Sequence, residues 1–97
     1  MPTVIHKVSS TTIANSASPT TVEGNFYFPP SDVETALLIE SPTDYTCPWK
    51  GKSQYWSLKL PSGEVIQDVA WSYPTPKEKA NHIKGFFAFD KKKLLVE

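Results

Sequence analysis

Two segments of alternating side chains, Gln54 to Leu60 and Glu64 to Tyr73, flank Pro61-Ser62-Gly63, the pattern of an antiparallel hairpin. Two registers compete. A two-residue turn at Ser62-Gly63 sets Leu60 opposite Val65, Trp56 opposite Val69 and Gln54 opposite Trp71, whereas a three-residue turn sets Trp56 against Asp68. The first gathers Trp56, Leu58, Leu60, Val65, Val69, Trp71 and Tyr73 on one face, and a one-residue slip would turn that face outward. It is therefore the expected register, with Asp68 on the opposite side.

The remaining segments are short and mostly strand-like. Thr3 to Val22 is rich in Thr, Ser, Val and Ile with a break at Ala17-Ser18-Pro19, which reads as short strands joined by a turn. Asn25 to Phe28 is a further strand, stopped by Pro29-Pro30, which cannot donate ladder hydrogen bonds. Ser31-Asp32-Val33-Glu34 has the form of a capping box before one or two helical turns. Leu37-Leu38-Ile39 then returns to a buried strand, and Ser41 to Ser53 reads as a long loop packed down by Tyr45 and Trp49. Thr75-Pro76-Lys77-Glu78 is a second capping box, opening a short helix from Pro76 to about Lys84 that Gly85 closes. Gly85 to Phe89 and Lys93 to Val96 are the last strands. The class is mainly β: a small single-domain barrel or tent-like pair of packed sheets over residues 1–97, with one or two short helices.

Composition narrows the function. A chain of 97 residues supports one core. Ten basic residues balance ten acidic ones, which argues against a nucleic-acid partner, since phosphate neutralisation supplies most of such affinity. Lys91-Lys92-Lys93 is the one basic cluster; it reads as a solvated strand end that can still dock a phosphate. The single cysteine forms no internal disulfide framework, no charged leader with an apolar run opens the chain, and no apolar segment reaches the roughly twenty residues of a membrane span. The expectation is a cytoplasmic protein without membrane contact, monomeric or homodimeric, with no resident cofactor. One Cys with two distant His makes no zinc site, so no metal is expected.

Thr46-Cys47-Pro48-Trp49-Lys50-Gly51 and Ala70-Trp71-Ser72-Tyr73-Pro74 hold the cysteine and two of the three tryptophans beside prolines. With Tyr27-Phe28-Pro29-Pro30-x-Asp32-Val33 upstream, these motifs stand in the order and spacing of a bacterial family, domain of unknown function 427, also labelled nucleotidyltransferase-like. The chain resembles that family from about Thr12 to Val96. The resemblance implies a compact, mostly β domain of tent or barrel type and no established activity. Two carboxylates for Mg²⁺ and a glycine-rich phosphate cradle, the usual parts of nucleotidyl transfer, are missing: the four glycines are scattered and no close Asp-x-Asp pair occurs.

The residues leave three readings open. In the first, a small or anionic ligand binds a cleft between the Thr46-to-Gly51 loop and the Trp71-to-Tyr73 strand end. There Cys47 and Trp71 line the site, Lys50 supplies charge, Gly51 permits close approach and Trp49 and Tyr73 give a stacking surface. The plain alternative for Lys50 is an exposed lysine before a turn glycine. In the second reading Cys47 is a nucleophile, activated by Lys50 or by His6 or His82, with Asp68 as the orienting carboxylate. Against it stands a small buried thiol packed on prolines. Asp68 is expected to pair with Lys50 or cap the loop. In the third, exposed Trp49 and Tyr73 form a protein-interaction surface.

Overall fold

The computed structural model describes residues 2–97, and all strand pairing among them is antiparallel within three sheets. β1 (Thr3–His6), β2 (Thr11–Asn15) and β9 (Leu95–Val96) form one, in the order β2-β1-β9. β3 (Thr20–Val22) and β4 (Asn25–Tyr27) form a hairpin. β5 (Leu38–Cys47), β6 (Gly51–Lys59), β7 (Val65–Ser72) and β8 (Phe87–Phe89) form a four-stranded sheet in chain order. The fold is mainly β as expected; its sheets do not close into a barrel, and they number three rather than a pair.

The β3–β4 hairpin hangs on the β8 edge of the large sheet, because Phe28 and Phe87 exchange both backbone hydrogen bonds, at 2.7 and 2.9 Å. Side chains of successive strand residues point to opposite faces, and this alternation divides the interior in two. Phe28, Ala70, Phe87 and Phe89 join Val4, Ile13, Leu58, Val69 and Leu94 in the main core. Their neighbours Tyr27, Trp71 and Ala88 face the other way and meet Cys47, Tyr73, Ala80 and Ile83 in a second, smaller cluster.

The central hairpin departs from the expected register. Near its turn Lys59 pairs with Val65 and Leu58 with Ile66, which is the register of the three-residue turn, and Gly63 supplies the positive φ (94°) that such a turn needs. Beyond it Trp56 pairs with Ala70 and Tyr55 with Trp71. Ser57 alone thus stands opposite Gln67, Asp68 and Val69. Asp68 takes a left-handed φ of 54° inside this bulge, and its amide donates to Ser57 Oγ at 3.1 Å. Two extra residues reset the face, so that Val69 and Ala70 are buried while Val65 is exposed and Trp56 and Trp71 are half-buried.

Ser41 to Ser53 is not a loop. It is the second half of β5, the turn Pro48-Trp49-Lys50 and the start of β6, with Cys47 paired to Gly51. Pro42 hid the strand, but it sits in another bulge, between Glu40 and Asp44, where the ladder asks for no amide. Neither capping box forms. Pro30–Asp32, Thr35–Leu37 and Glu78–Ile83 are 3₁₀ turns without side-chain caps. The amide of Lys77 is taken by the Lys50 carbonyl at 2.9 Å, which pins Thr75 to Lys77 in an extended form on the Pro48–Lys50 turn. His6 lies in the central strand of its sheet because the C-terminal β9 adds to the far side of β1.

Candidate functional site

The second cluster is where the singled-out residues meet. The Cys47–Gly51 pair closes a three-residue turn whose Trp49 and Lys50 fold back over the sheet. Gly51 has φ of 106°, which L residues rarely adopt, while a Cβ there would meet the Lys77 amide at 3.4 Å and the Thr75 carbonyl at 3.5 Å, ordinary contact distances. Lys77 Nζ donates to the Pro48 carbonyl at 2.8 Å and clamps the turn from outside. The backbone conformation of the turn, rather than want of space, is therefore what calls for glycine here.

Lys50 is not an exposed lysine. Its side chain is only 7% accessible, with the ammonium 4.8 Å from the Trp49 ring centroid and 5.6 Å from that of Tyr73, within range for cation–π attraction. The counter-ion is Glu23, which accepts a hydrogen bond from Lys50 Nζ while remaining 57% accessible. Burial pulls the Lys50 pKa down, but the Glu23 hydrogen bond and the negative ends of Tyr27, Cys47 and Glu23 outweigh it and hold the ammonium above its ordinary value. The same hydrogen bond holds the Glu23 carboxyl below its usual range.

Glu23 reaches Lys50 through unusual backbone. It and Gly24 are the two central residues of the β3–β4 turn, and both have positive φ, 53° and 80°, as a type I′ turn requires. Asn, Asp or Gly normally serves at Glu23's position, since a longer side chain on left-handed backbone is strained. Lys91 Nζ fixes the same turn from its other side, donating to the Gly24 carbonyl at 2.7 Å.

Below the ion pair, Tyr27 is buried and its hydroxyl accepts from Trp71 Nε1 at 3.1 Å. Tyr73 is 3% accessible, so it offers its face to the ammonium and no ring to a partner or a stacking ligand. Burial pushes the hydroxyl pKa of both tyrosines up and keeps them neutral. The Trp71 ring also lies against Tyr55, with centroids 6.2 Å apart. Cys47 is buried in the same cluster. Burial raises its thiol pKa, yet the backbone amides of Lys50 and Trp49 and the Lys50 charge together bring it below the ordinary value.

Asp68 is elsewhere. Its Oδ2 accepts from Thr43 Oγ1 at 2.6 Å, linking the β7 bulge to the β5 bulge across β6, and Oδ1 is buried without a partner among the described residues. Thr43 is four residues from Cys47, about 13 Å along an extended strand, so Asp68 neither pairs with Lys50 nor caps the turn. His82 is exposed and His6 hydrogen-bonds Ser9 Oγ at 2.7 Å; neither bonds to Cys47. Cys47, Trp49, Lys50, Gly51, Trp71 and Tyr73 are thus brought together and Asp68 is not. Tyr27, a residue of the upstream motif, and Glu23 complete the cluster, and of the two only Glu23 is absent from the reading of the sequence. The signal for Glu23 was the Glu-Gly pair between two strand segments, obscured because Glu is a poor type I′ residue.

The family model described as domain of unknown function DUF427 matches residues 3–97, nearly the whole chain, and no curated protein matches it. The chain belongs to the DUF427 family.

Proposed function

We propose that this DUF427 member binds a small anionic ligand at Lys50, with Trp49 as the flat neighbour of the ligand and Glu23 as the group it displaces. The observation that supports this reading is the asymmetry of the ion pair. A buried ammonium seated on two aromatic rings is met by a mostly exposed carboxylate on a strained hairpin tip. A pair serving stability alone gains nothing from a strained partner, whereas strain held at one point suits a group that must give way. The Glu23 carboxylate then stands in for the carboxylate or phosphate of the ligand. Trp49, half-buried, keeps ring surface for a planar group beside that charge.

Phenyl phosphate is a suitable probe, combining a flat ring with an anion. Titration should change tryptophan fluorescence saturably in the native protein and not in Lys50→Met. A response that persists unchanged in Lys50→Met, or no response to phenyl phosphate or benzoate, contradicts the proposal. The lowered thiol pKa favours a second reading, in which Cys47 acts as a nucleophile once the hairpin lifts. Alkylation kinetics separate the two.

A further inference from the structure

A second basic place lies outside the Lys50 cluster. A cavity of about 210 Å³ is lined by Lys7, Lys91, Lys92, Lys93, Leu94 and Leu95. The sequence scatters its charge, but the fold sets Lys7, at the end of β1, against the turn that leads into β9, because Ile5 pairs with Leu95.

The four lysines differ in how they are held. Lys91 Nζ donates to the Gly24 carbonyl at 2.7 Å and Lys93 Nζ to the Gln67 carbonyl at 2.8 Å. Carbonyl acceptors fix an ammonium without neutralising it. Lys7 and Lys92 have no side-chain partner among the described residues, and Lys92 is anchored only through its amide, which donates to Asp90 Oδ1 at 2.8 Å. The amides of Lys93 and Leu94 are taken by the Asp90 carbonyl. The Asp90 carboxylate thus stands beside four positive charges, and that of Asp68 lies within the field of Lys93; of the four ammoniums two are fixed and two are free to close on a guest.

We propose that this cavity is a binding site for a soluble oligophosphate group. Several closely spaced lysines suit a ligand with several closely spaced charges better than a single carboxylate. The lining contains no aromatic ring on which bases could stack, which disfavours single-stranded nucleic acid. The cavity shares no lining residue with the Lys50 cluster, although Lys91 also holds the Gly24 carbonyl of the turn that carries Glu23, and each reading can fail alone.

The test is titration of the ¹⁵N-labelled full chain with tripolyphosphate, followed by amide shifts. Saturable shifts should centre on Lys7 and Lys91 to Leu95. Lys7→Gln/Lys92→Gln, which breaks no side-chain hydrogen bond and leaves folding intact, should weaken binding about tenfold. The control Lys59→Gln/Lys79→Gln, equal in charge and exposed elsewhere, should bind as the native chain does. Non-saturating shifts, or equal weakening in the control, would reduce the effect to general charge attraction and overturn the proposal. Loss of binding in Lys50→Met alone would move the anion to the other site. Sedimentation with vesicles containing phosphatidylinositol bisphosphate, without binding of free tripolyphosphate, would assign the lysines to a lipid surface instead.

Discussion

Removing the two ends of the Lys50–Glu23 pair should have unequal effects, because one end is buried and the other is in water. Lys50→Met keeps the side-chain stem and leaves a carboxylate that solvent can hydrate. Lost are two cation–π contacts of about 0.5–1 kcal/mol each and an ion pair whose exposed carboxylate is screened by solvent. Burying the methionine end returns about 0.8 kcal/mol per methylene equivalent. The net loss is about 0–2 kcal/mol, and each kcal/mol corresponds to about 4–8 °C in melting temperature for a domain of this size. Glu23→Gln instead leaves an ammonium among Trp49, Tyr73 and Tyr27 with no anion, the costly way to break a buried pair. It should therefore lower the melting temperature more than Lys50→Met does. The double variant should melt above Glu23→Gln alone. Circular dichroism melts of the three variants decide the matter. If Glu23→Gln proves no less stable than Lys50→Met, the ammonium is not buried as described and the account of the cluster is wrong.

Other consequences are as specific. Gly51→Ala forces a side chain onto φ of 106° and should cost about 1–3 kcal/mol in urea denaturation; a neutral result would mean the turn has another shape. Trp71→Phe deletes the donor to the buried Tyr27 hydroxyl and should cost about 1–3 kcal/mol, recovered in part by adding Tyr27→Phe; no coupling in that double-mutant cycle would remove the hydrogen bond from the account. Burial raises the Asp68 carboxyl pKa, but the nearby hydroxyls of Ser41 and Thr43 and the charge of Lys93 leave it below the usual value. Its stability contribution is then complete above the unfolded carboxyl value and lost as pH falls through the folded one. Asp68→Asn, whose side chain tolerates the left-handed backbone, should flatten stability against pH below about 4; an unchanged acid slope refutes this. Cys47 should react slowly with iodoacetamide in the native state, and faster in Glu23→Gln as the hairpin loosens. Fast native labelling would favour the nucleophile reading.

The alternation in Gln54 to Leu60 and Glu64 to Tyr73 made the central hairpin legible, and the prolines and glycines marked most of the breaks. Register was not legible, because the Ser57–Asp68 bulge inserts two residues that nothing in the local alternation announces. Asp68 at positive φ is the physical mark of that bulge, and a mid-strand aspartate was its one trace in the sequence. Pro42 and Pro48 suggested a loop, yet one fills a bulge and the other a tight turn, both places where a strand pair asks for no amide. The capping boxes failed for a simpler reason: segments of three and six residues make 3₁₀ turns, and the Lys77 amide was already taken by Lys50. At the site, six of the seven candidates converge because Cys47, Gly51, Trp71 and Tyr73 lie on adjoining strands. Their charge partner lies more than twenty residues away in sequence, on a hairpin whose docking depends on the Phe28–Phe87 contact.

The account stands most directly on whether Glu23 occupies the ligand's place. Calorimetric titration of phenyl phosphate into the native protein and into Glu23→Gln, at a temperature where both are folded, tests that. Tighter binding to Glu23→Gln is predicted, because the internal competitor has lost its charge while Lys50 keeps its own. Equal or weaker binding would contradict displacement and leave the ion pair as a structural clamp.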